Sequence, residues 1–317
     1  MQYMSARSYG VFFAFTTVAL RSFFIAIGQT KIITTAAVLM LVLNGFLDYV
    51  LIFGKLGAPE MGIRGAAMAS VISEAVAMFF LIAYCIRNHG FKEFKLFRFE
   101  SINPTRIRAI FHLSSPVILQ NLVSMGAWFL FFVVIEHMGE RQLAISNIIR
   151  ATYMIMMTPV WGYAAATNSM VSNLIGQGRE NEVGKLVKRI IKLALITSGA
   201  IFALMMISPS AILGISTSDK SIIQDAMGCY YIIAGSMFLF SISVILLSTV
   251  SGTGSTKAAM LIELTNIFIY LAYVYVFAII INSSIEQVWL SEPIYWTMMG
   301  LFSWLYIRTG RWKEVRL

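Results

Sequence analysis

Charged side chains are scarce in this chain: Asp, Glu, Lys and Arg make up 12% of its 317 residues, against 58% hydrophobic residues. A soluble globular domain typically carries about 25% charged residues. The low charge, with a mean hydropathy of +0.78, excludes a soluble domain of useful size. It indicates an all-α polytopic membrane protein that interacts with the lipid bilayer.

Cysteine and histidine are also scarce, with two and three residues. Cys85 lies near the inner end of one apolar segment and Cys229 near the outer end of another, so we expect packing residues rather than a disulfide. The histidines show no metal-ligand spacing. No phosphate-binding glycine loop follows a strand, and no nucleophile–base arrangement stands out. The sequence therefore predicts a protein that is not an enzyme and needs no cofactor.

Long apolar segments recur along the whole chain, each of a length that can cross a hydrocarbon core of about 30 Å as a helix. The first is too long, and lacks the basic flank, for a cleavable signal peptide. We predict nine spans, at residues 9–28, 32–53, 65–86, 113–137, 143–174, 190–210, 226–250, 259–281 and 289–307.

Basic residues collect in alternate loops between these spans. Seventeen Lys and Arg residues lie in one set of loops, and five in the other: Arg7, Lys55, Arg64, Arg141 and Lys220. The positive-inside rule makes the first set cytoplasmic. We therefore expect an inner-membrane protein with a cytoplasmic C-terminus, and no nucleic-acid partner despite the pI near 9.6.

Asn44 and Asp48 are the most informative pair, because they lie one helical turn apart in an otherwise uncharged apolar segment. A carboxylate at this depth costs about 3 kcal/mol, so it needs partners or a wet cavity. Such an acid typically marks an ion or proton path; a helix–helix contact is the alternative.

Two short echoes indicate an internal repeat. Gly28-Gln-Thr-Lys31 closes the first span and Gly254-Ser-Thr-Lys257 the seventh, and an Ile-Arg pair ends both the third and ninth spans. Parallel repeats of this kind are typical of transporters built from two similar halves. Extrapolating the repeat leads us to expect that about 120 residues, enough for three spans, precede Met1 in the complete protein.

Several stretches together resemble the MATE (multidrug and toxic compound extrusion) family: Asn44-Gly-Phe-Leu-Asp48, Met61 to Ser73, Ser115-Pro116-Val-Ile-Leu-Gln120, and Gly176-Gln-Gly178. The resemblance covers nearly the whole chain. It implies a two-lobe helical bundle with nine of twelve helices present. Residues 1–87 would be half of the N-lobe, 88–112 a cytoplasmic linker, and 113–317 the C-lobe. Asn103 and Pro104 suit the cap and first position of the helix that leaves the linker.

The resemblance also implies site residues. Asn44 and Asp48 match a fifth-helix cation or proton site, and Ser70 matches a sixth-helix Thr that lines it. Their oxygens suit sodium, which makes Asn44 and Asp48 a candidate sodium site. A seventh-helix Glu expected eight residues after Pro116 is absent, because Ser124 stands there.

Among the other charged residues within the predicted spans, four are further candidates. Glu74 lies one turn after Ser70, and either acts as an accessory coupling acid or bonds to a neighbour. Arg21 is a second accessory candidate that could pair with Asp48 or Glu74. For Arg150 and Glu263 we favour pairing between helices or lobes.

These features predict a secondary antiporter that exports drugs or organic cations in exchange for sodium ions or protons, acting as a monomer. The alternatives are a lipid-linked oligosaccharide flippase of the same superfamily, expected to have a more cationic cavity, and an inactive membrane fragment. The identity of the substrate and of the coupling ion is left open by the sequence.

Overall fold

The computed structural model describes residues 2–88, 91, 94, 96 and 103–314, and these residues form helices and no strand. The described chain groups into two compact units, within residues 1–102 and 103–317. The first unit contains α1 (Gln2–Ser8), α2 (Val11–Ala26), α3 (Thr30–Ile52) and α4 (Gly62–Arg87).

The second unit holds the remaining helices. They are α5 (Pro104–Met138), α6 (Glu140–Gly176), α7 (Val183–Ile207), α8 (Pro209–Gly214), α9 (Lys220–Gly252), α10 (Thr256–Tyr275), α11 (Ile285–Trp289) and α12 (Ser291–Thr309). One π-helical turn, Val276–Ile280, extends α10, and short 3₁₀ turns span Glu180–Glu182 and Arg311–Glu314.

Each of the nine predicted spans overlaps one of the main helices, which are α2 to α7, α9, α10 and α12. Among the described residues, seven helical segments are long and apolar enough to cross a membrane: α3 to α7, α9, and α10 with its π turn. The helix α2 is apolar but shorter, and α12 carries Glu292 and Arg308 near its two ends. The chain is therefore a multi-pass membrane protein.

The start of α5 has the cap that the sequence predicts. The Asn103 side chain accepts hydrogen bonds from the backbone N–H groups of Thr105 and Arg106, and Pro104 takes the first helical position, as predicted. Residues 104–112 of the predicted linker 88–112 belong to this capped helix. Most of the rest of that segment lies outside the described residues.

The two repeated tetrapeptides, Gly28 to Lys31 and Gly254 to Lys257, form the same turn. Gly28 and Gly254 both have positive φ, +73° and +83°, a conformation that favours glycine. Each donates its backbone N–H to the carbonyl three residues earlier, at 3.0 Å in both cases. The next helices begin at Thr30 and Thr256, so the two echoes have equivalent local structure.

Close helix contacts position the site residues in each unit. In the first unit, α3 packs along α4, and a Cβ on Gly65 would lie 2.5 Å from the Leu51 carbonyl oxygen, so only glycine fits there. In the second unit, the buried helix α9 packs against α6, α7 and α12. The helix α10 packs against α5 and α12. This packing brings together polar side chains from the three helices: Ser124 on α5, Glu263 on α10 and Tyr295 on α12.

Candidate functional site

The first candidate site lies between α3 and α4 in the first unit. The Asn44 Nδ2 atom lies 3.4 Å from the Ser70 hydroxyl. In the amide orientation that satisfies both of its polar ends, Nδ2 donates to Asp48 Oδ2 at 3.3 Å, and the amide oxygen accepts from the Ser70 backbone N–H at 3.3 Å. The structure thus brings Asn44, Asp48 and Ser70 together, and the amide bridges the two helices.

The carboxyl group of Asp48 has spare acceptor capacity. Its Oδ1 atom is buried and has no hydrogen-bond partner in the described part of the chain. An ionised carboxylate accepts about four hydrogen bonds and suits protons or hard cations. Among the described residues there is no cluster of three or more metal-ligating His, Cys, Asp or Glu side chains, so a cation here would rely on neutral oxygens beside one carboxylate.

Glu74 has a different partner from the one considered from the sequence. Arg7 donates from Nη1 to Glu74 Oε2 at 2.7 Å and from Nη2 to Oε1 at 2.5 Å, a bidentate pair. Arg21 is exposed on α2. The proposed pairing of Arg21 with Glu74 is therefore wrong, since the guanidinium that neutralises this acid belongs to Arg7.

The position of Arg7 also corrects the loop assignment. The distribution of basic residues predicts a non-cytoplasmic loop for Arg7, but its partner Glu74 lies about 18 Å along α4 from Gly62, near the middle of that helix. The break between α1 and α2 sits at Gly10, where a Cβ would lie 2.9 Å from Arg7 Nη1 and 3.0 Å from Glu74 Oε2. A glycine at this position lets the ion pair approach the backbone.

The second candidate site lies inside the second unit. The Glu263 side chain projects from α10 and is 4% exposed. Its Oε1 atom accepts hydrogen bonds from the hydroxyls of Ser124 on α5, at 2.7 Å, and Tyr295 on α12, at 2.6 Å. The serine that stands where a seventh-helix Glu was expected thus contacts a glutamate supplied by another helix.

Glu263 does not pair with Arg150. The expected contact between helices exists for Glu263, but its partners are hydroxyls rather than a cation. Arg150 is exposed, and its guanidinium lies over the Phe132 ring, 4.9 Å from the centroid. Arg150 on α6 therefore makes a cation–π contact with Phe132 on α5.

Glu292 is a second buried carboxylate that the sequence reasoning missed. It lies in the first turn of α12 and is 2% exposed. Its Oε2 atom accepts from the Tyr153 hydroxyl at 3.2 Å and the Trp296 indole N–H at 3.1 Å, and its Oε1 atom accepts from the Tyr270 hydroxyl at 3.3 Å. The only available sequence signal was an acid placed just inside the predicted span 289–307.

Both carboxylates line one cavity of about 670 Å³ within the second unit. Its wall combines these acids with aromatic and methionine side chains and a few hydroxyls and amides, and no Lys or Arg among the described residues. A volume of this size falls in the range of small-molecule sites. The geometry fits a compound with an apolar body and a positive charge.

Comparison with known proteins agrees with this architecture. The MatE family model matches residues 116–281, just over half of the chain. A probable multidrug resistance protein NorM of Thermotoga maritima is 28% identical over 228 residues, which cover 71% of this chain and 48% of that protein. The protein of the same description from Agrobacterium fabrum is 30% identical over 178 residues, covering 56% of this chain and 38% of the relative.

Solved structures share the fold. An outward-facing multidrug resistance MATE family transporter of the MOP superfamily superposes with a TM-score of 0.87 at 20% identity, covering 99% of this chain and 71% of that one. The chain spans about half the length, or less, of the curated relatives described above. The match of the family model to more than half of the sequence, together with the fold, shows that this chain belongs to the MatE (MATE) family.

Proposed function

We propose that the protein acts in secondary active transport, exporting drugs or other organic compounds in exchange for sodium ions or protons by alternating access. The observation that carries this proposal is the Asp48 carboxyl group, which lies in an apolar helix and has one buried oxygen without a hydrogen-bond partner among the described residues. A buried acid that is not neutralised by a protein cation can gain and lose an external one.

Asp48 would be the coupling residue. The Asn44 amide and the Ser70 hydroxyl lie within reach of the same ion and hold the α3 and α4 faces together. Binding of a proton or sodium ion would remove the charge and change the preferred packing of these helices, and a ligand shifts such an equilibrium by its differential affinity for the two states. Release of the ion on the other side would reset the cycle.

Glu74 is a less suitable coupling acid than Asp48. Its two oxygens already accept hydrogen bonds from the Arg7 guanidinium. An incoming cation would therefore have to displace the Arg7 side chain, which is part of the same chain. We assign this pair to stabilising the first unit. The proposed setting is the inner membrane with a cytoplasmic C-terminus, and a monomer as the working unit.

The flippase alternative is less favoured by the cavity. A site for a lipid-linked phosphate would be expected to present Lys or Arg, whereas the described wall of the second-unit cavity presents two glutamates and no basic residue. The acidic character of the cavity supports export of cationic or neutral compounds.

The test is gradient-driven transport of ethidium by the chain in proteoliposomes, with a proton gradient or a sodium gradient imposed separately. We expect one of the two gradients to drive transport, and Asp48→Asn to abolish the driven component. Asp219→Asn, an identical chemical change at an exposed helix cap, is the matched control and should leave transport intact. Equal gradient-driven transport by Asp48→Asn and the unmodified chain would refute the role of Asp48, and an unmodified chain that transports nothing would favour the inactive-fragment alternative.

A further inference from the structure

The turn between α6 and α7 contains the Gly176-Gln-Gly178 motif, which the proposed transport cycle does not use. Gly178 has a positive φ of +70°, a conformation that favours glycine, and its backbone N–H donates to the Ile175 carbonyl at 2.9 Å. The backbone N–H of Arg179 donates to the Leu174 carbonyl, also at 2.9 Å. The motif thus makes a tight reversal that brings the end of α6 beside the start of α7.

A groove of about 530 Å³ lies along this reversal, and its lining includes Arg179, Glu182, Lys185 and Arg189. The Arg179 guanidinium donates to both oxygens of Glu182, at 2.8 Å each, and to Gln177 Oε1 at 3.1 Å. Arg179 and Glu182 therefore balance each other's charge. The side chains of Lys185 and Arg189 make no hydrogen bond or ion pair with any described residue. The groove thus presents two cations that are free to bind an anion.

The same face of α7 continues as an apolar stripe. Lys185 and Arg189 lie one helical turn apart, and the exposed side chains of Leu193, Ile196 and Leu204 follow them at helical spacing. Ile196 lies about 10 Å along the helix axis from Arg189. In a spanning helix, such a stripe suits contact with lipid acyl chains. Two cations at the end of an apolar stripe match the two parts of an anionic phospholipid.

The surroundings of the groove favour the same ligand. Between residues 179 and 192 the sequence has five basic and two acidic side chains, and the positive-inside rule predicts a cytoplasmic location for this turn. The cytoplasmic leaflet contains anionic lipids, and basic pockets between helices on that side bind phosphate headgroups.

We propose that the groove between α6 and α7 binds the headgroup of an anionic phospholipid. Lys185 and Arg189 contact the phosphate, and the acyl chains lie along Leu193 and Ile196. This inference goes beyond the proposed transport function and does not rest on it, because the binding requires neither an ion gradient nor Asp48.

The test measures which lipid contacts the stripe of the full chain in nanodiscs. Ile196→Cys is labelled with a bimane fluorophore, while Cys85 and Cys229 are buried. Phosphatidylglycerol or phosphatidylcholine with brominated acyl chains is then titrated in, since bromine quenches the fluorophore on contact. Each cation near an anionic headgroup is worth about fivefold in affinity. We therefore expect half-maximal quenching by phosphatidylglycerol at a mole fraction about 30-fold lower than by phosphatidylcholine.

Substitutions in the labelled chain separate the groove from the general basic surface. Lys185→Gln combined with Arg189→Gln should reduce the preference for phosphatidylglycerol to about threefold or less, whereas Lys185→Arg should retain it. The matched control is Lys188→Gln with Lys192→Gln, the same charge change at exposed positions of α7 that do not line the groove. This control should keep the preference within about twofold of the parent chain.

Four results would overturn the proposal. They are equal quenching by the two lipids in the parent chain, an unchanged preference after the Lys185 and Arg189 substitutions, an equal loss in the control pair, and recovery of fluorescence on adding inorganic phosphate but not potassium chloride of equal ionic strength. The third would indicate a diffuse basic surface, and the fourth would assign the groove to a soluble anion. None of these results depends on whether Asp48→Asn alters transport.

Discussion

Removing Arg7 tests whether the bidentate pair with Glu74 stabilises the first unit. The pair has two short N–H···O contacts, and the side chains are 34% and 17% exposed, so solvent screens it only partly. Breaking a fully buried pair costs about 3–5 kcal/mol, and an exposed pair about 0–1 kcal/mol. For this intermediate burial we expect Arg7→Leu to destabilise the protein by about 2 kcal/mol, because an unpaired carboxylate is left near the middle of α4.

A double-mutant cycle separates the pair from the packing of its side chains. Glu74→Gln alone should also destabilise, and the double variant should lose less than the sum of the two, with an interaction energy of about 1–2 kcal/mol. The assay is unfolding in mixed detergent–SDS micelles, monitored by the loss of helical signal in far-UV circular dichroism. Arg64→Leu, at an exposed position of the same unit, is the matched control and should lie within about 0.5 kcal/mol of the unmodified chain. Strict additivity of Arg7→Leu and Glu74→Gln would show that the contact contributes nothing.

Three further predictions concern helix contacts and caps. Gly65→Ala should destabilise the first unit by about 1–3 kcal/mol through overpacking, whereas Gly45→Ala, with open space around its Cβ position, should not; thermal unfolding of the two variants compares them directly. Asn103→Ala should lower the free energy of unfolding by about 1 kcal/mol, because it leaves the start of α5 uncapped. Asn103→Asp, which can cap the helix, should keep the stability of the unmodified chain in the same assay. Hydrogen bonds from the side chain and backbone of Ser221 lower the pKa of Asp219 in the folded protein. The stability that the ionised Asp219 adds is therefore complete above its unfolded pKa near 3.9, and it is lost as the pH falls through the lower folded value. The melting temperature of the unmodified chain should therefore drop relative to Asp219→Asn below about pH 4, and parallel pH curves would contradict this reasoning.

The first site could be predicted because its residues are related by short helical spacings. Asn44 and Asp48 are one turn apart on α3, and periodicity alone places them on one face. Their approach to Ser70 on the adjacent helix followed from the family resemblance. The structure agrees on the proximity of these three residues, while their role in coupling stays a prediction.

The second site could not be predicted because its contacts span long separations in the sequence. Tyr153 and Glu292 are 139 residues apart, as are Ser124 and Glu263, and no local pattern links such pairs. The placement of Arg7 beside the middle of α4 was missed for a related reason. A short helix and a break at Gly10 precede α2. A count of basic residues by loop treats the residues before the first apolar segment as a loop, so it does not detect this helix.

The two acids Asp48 and Glu263 share one physical property and differ in their surroundings, and we expect this difference to separate their roles. Each has one buried oxygen without a partner in the described chain. Around Asp48 the neighbouring groups are an amide and a hydroxyl, which suit a small ion, whereas Glu263 lines a large aromatic cavity, which suits an organic cation. Asp48→Asn should therefore remove the effect of the gradient while leaving ethidium affinity unchanged, and Glu263→Gln should weaken affinity while any remaining transport still responds to the gradient. If either substitution produced both defects, the separation of coupling and compound binding between these two carboxylates would be wrong.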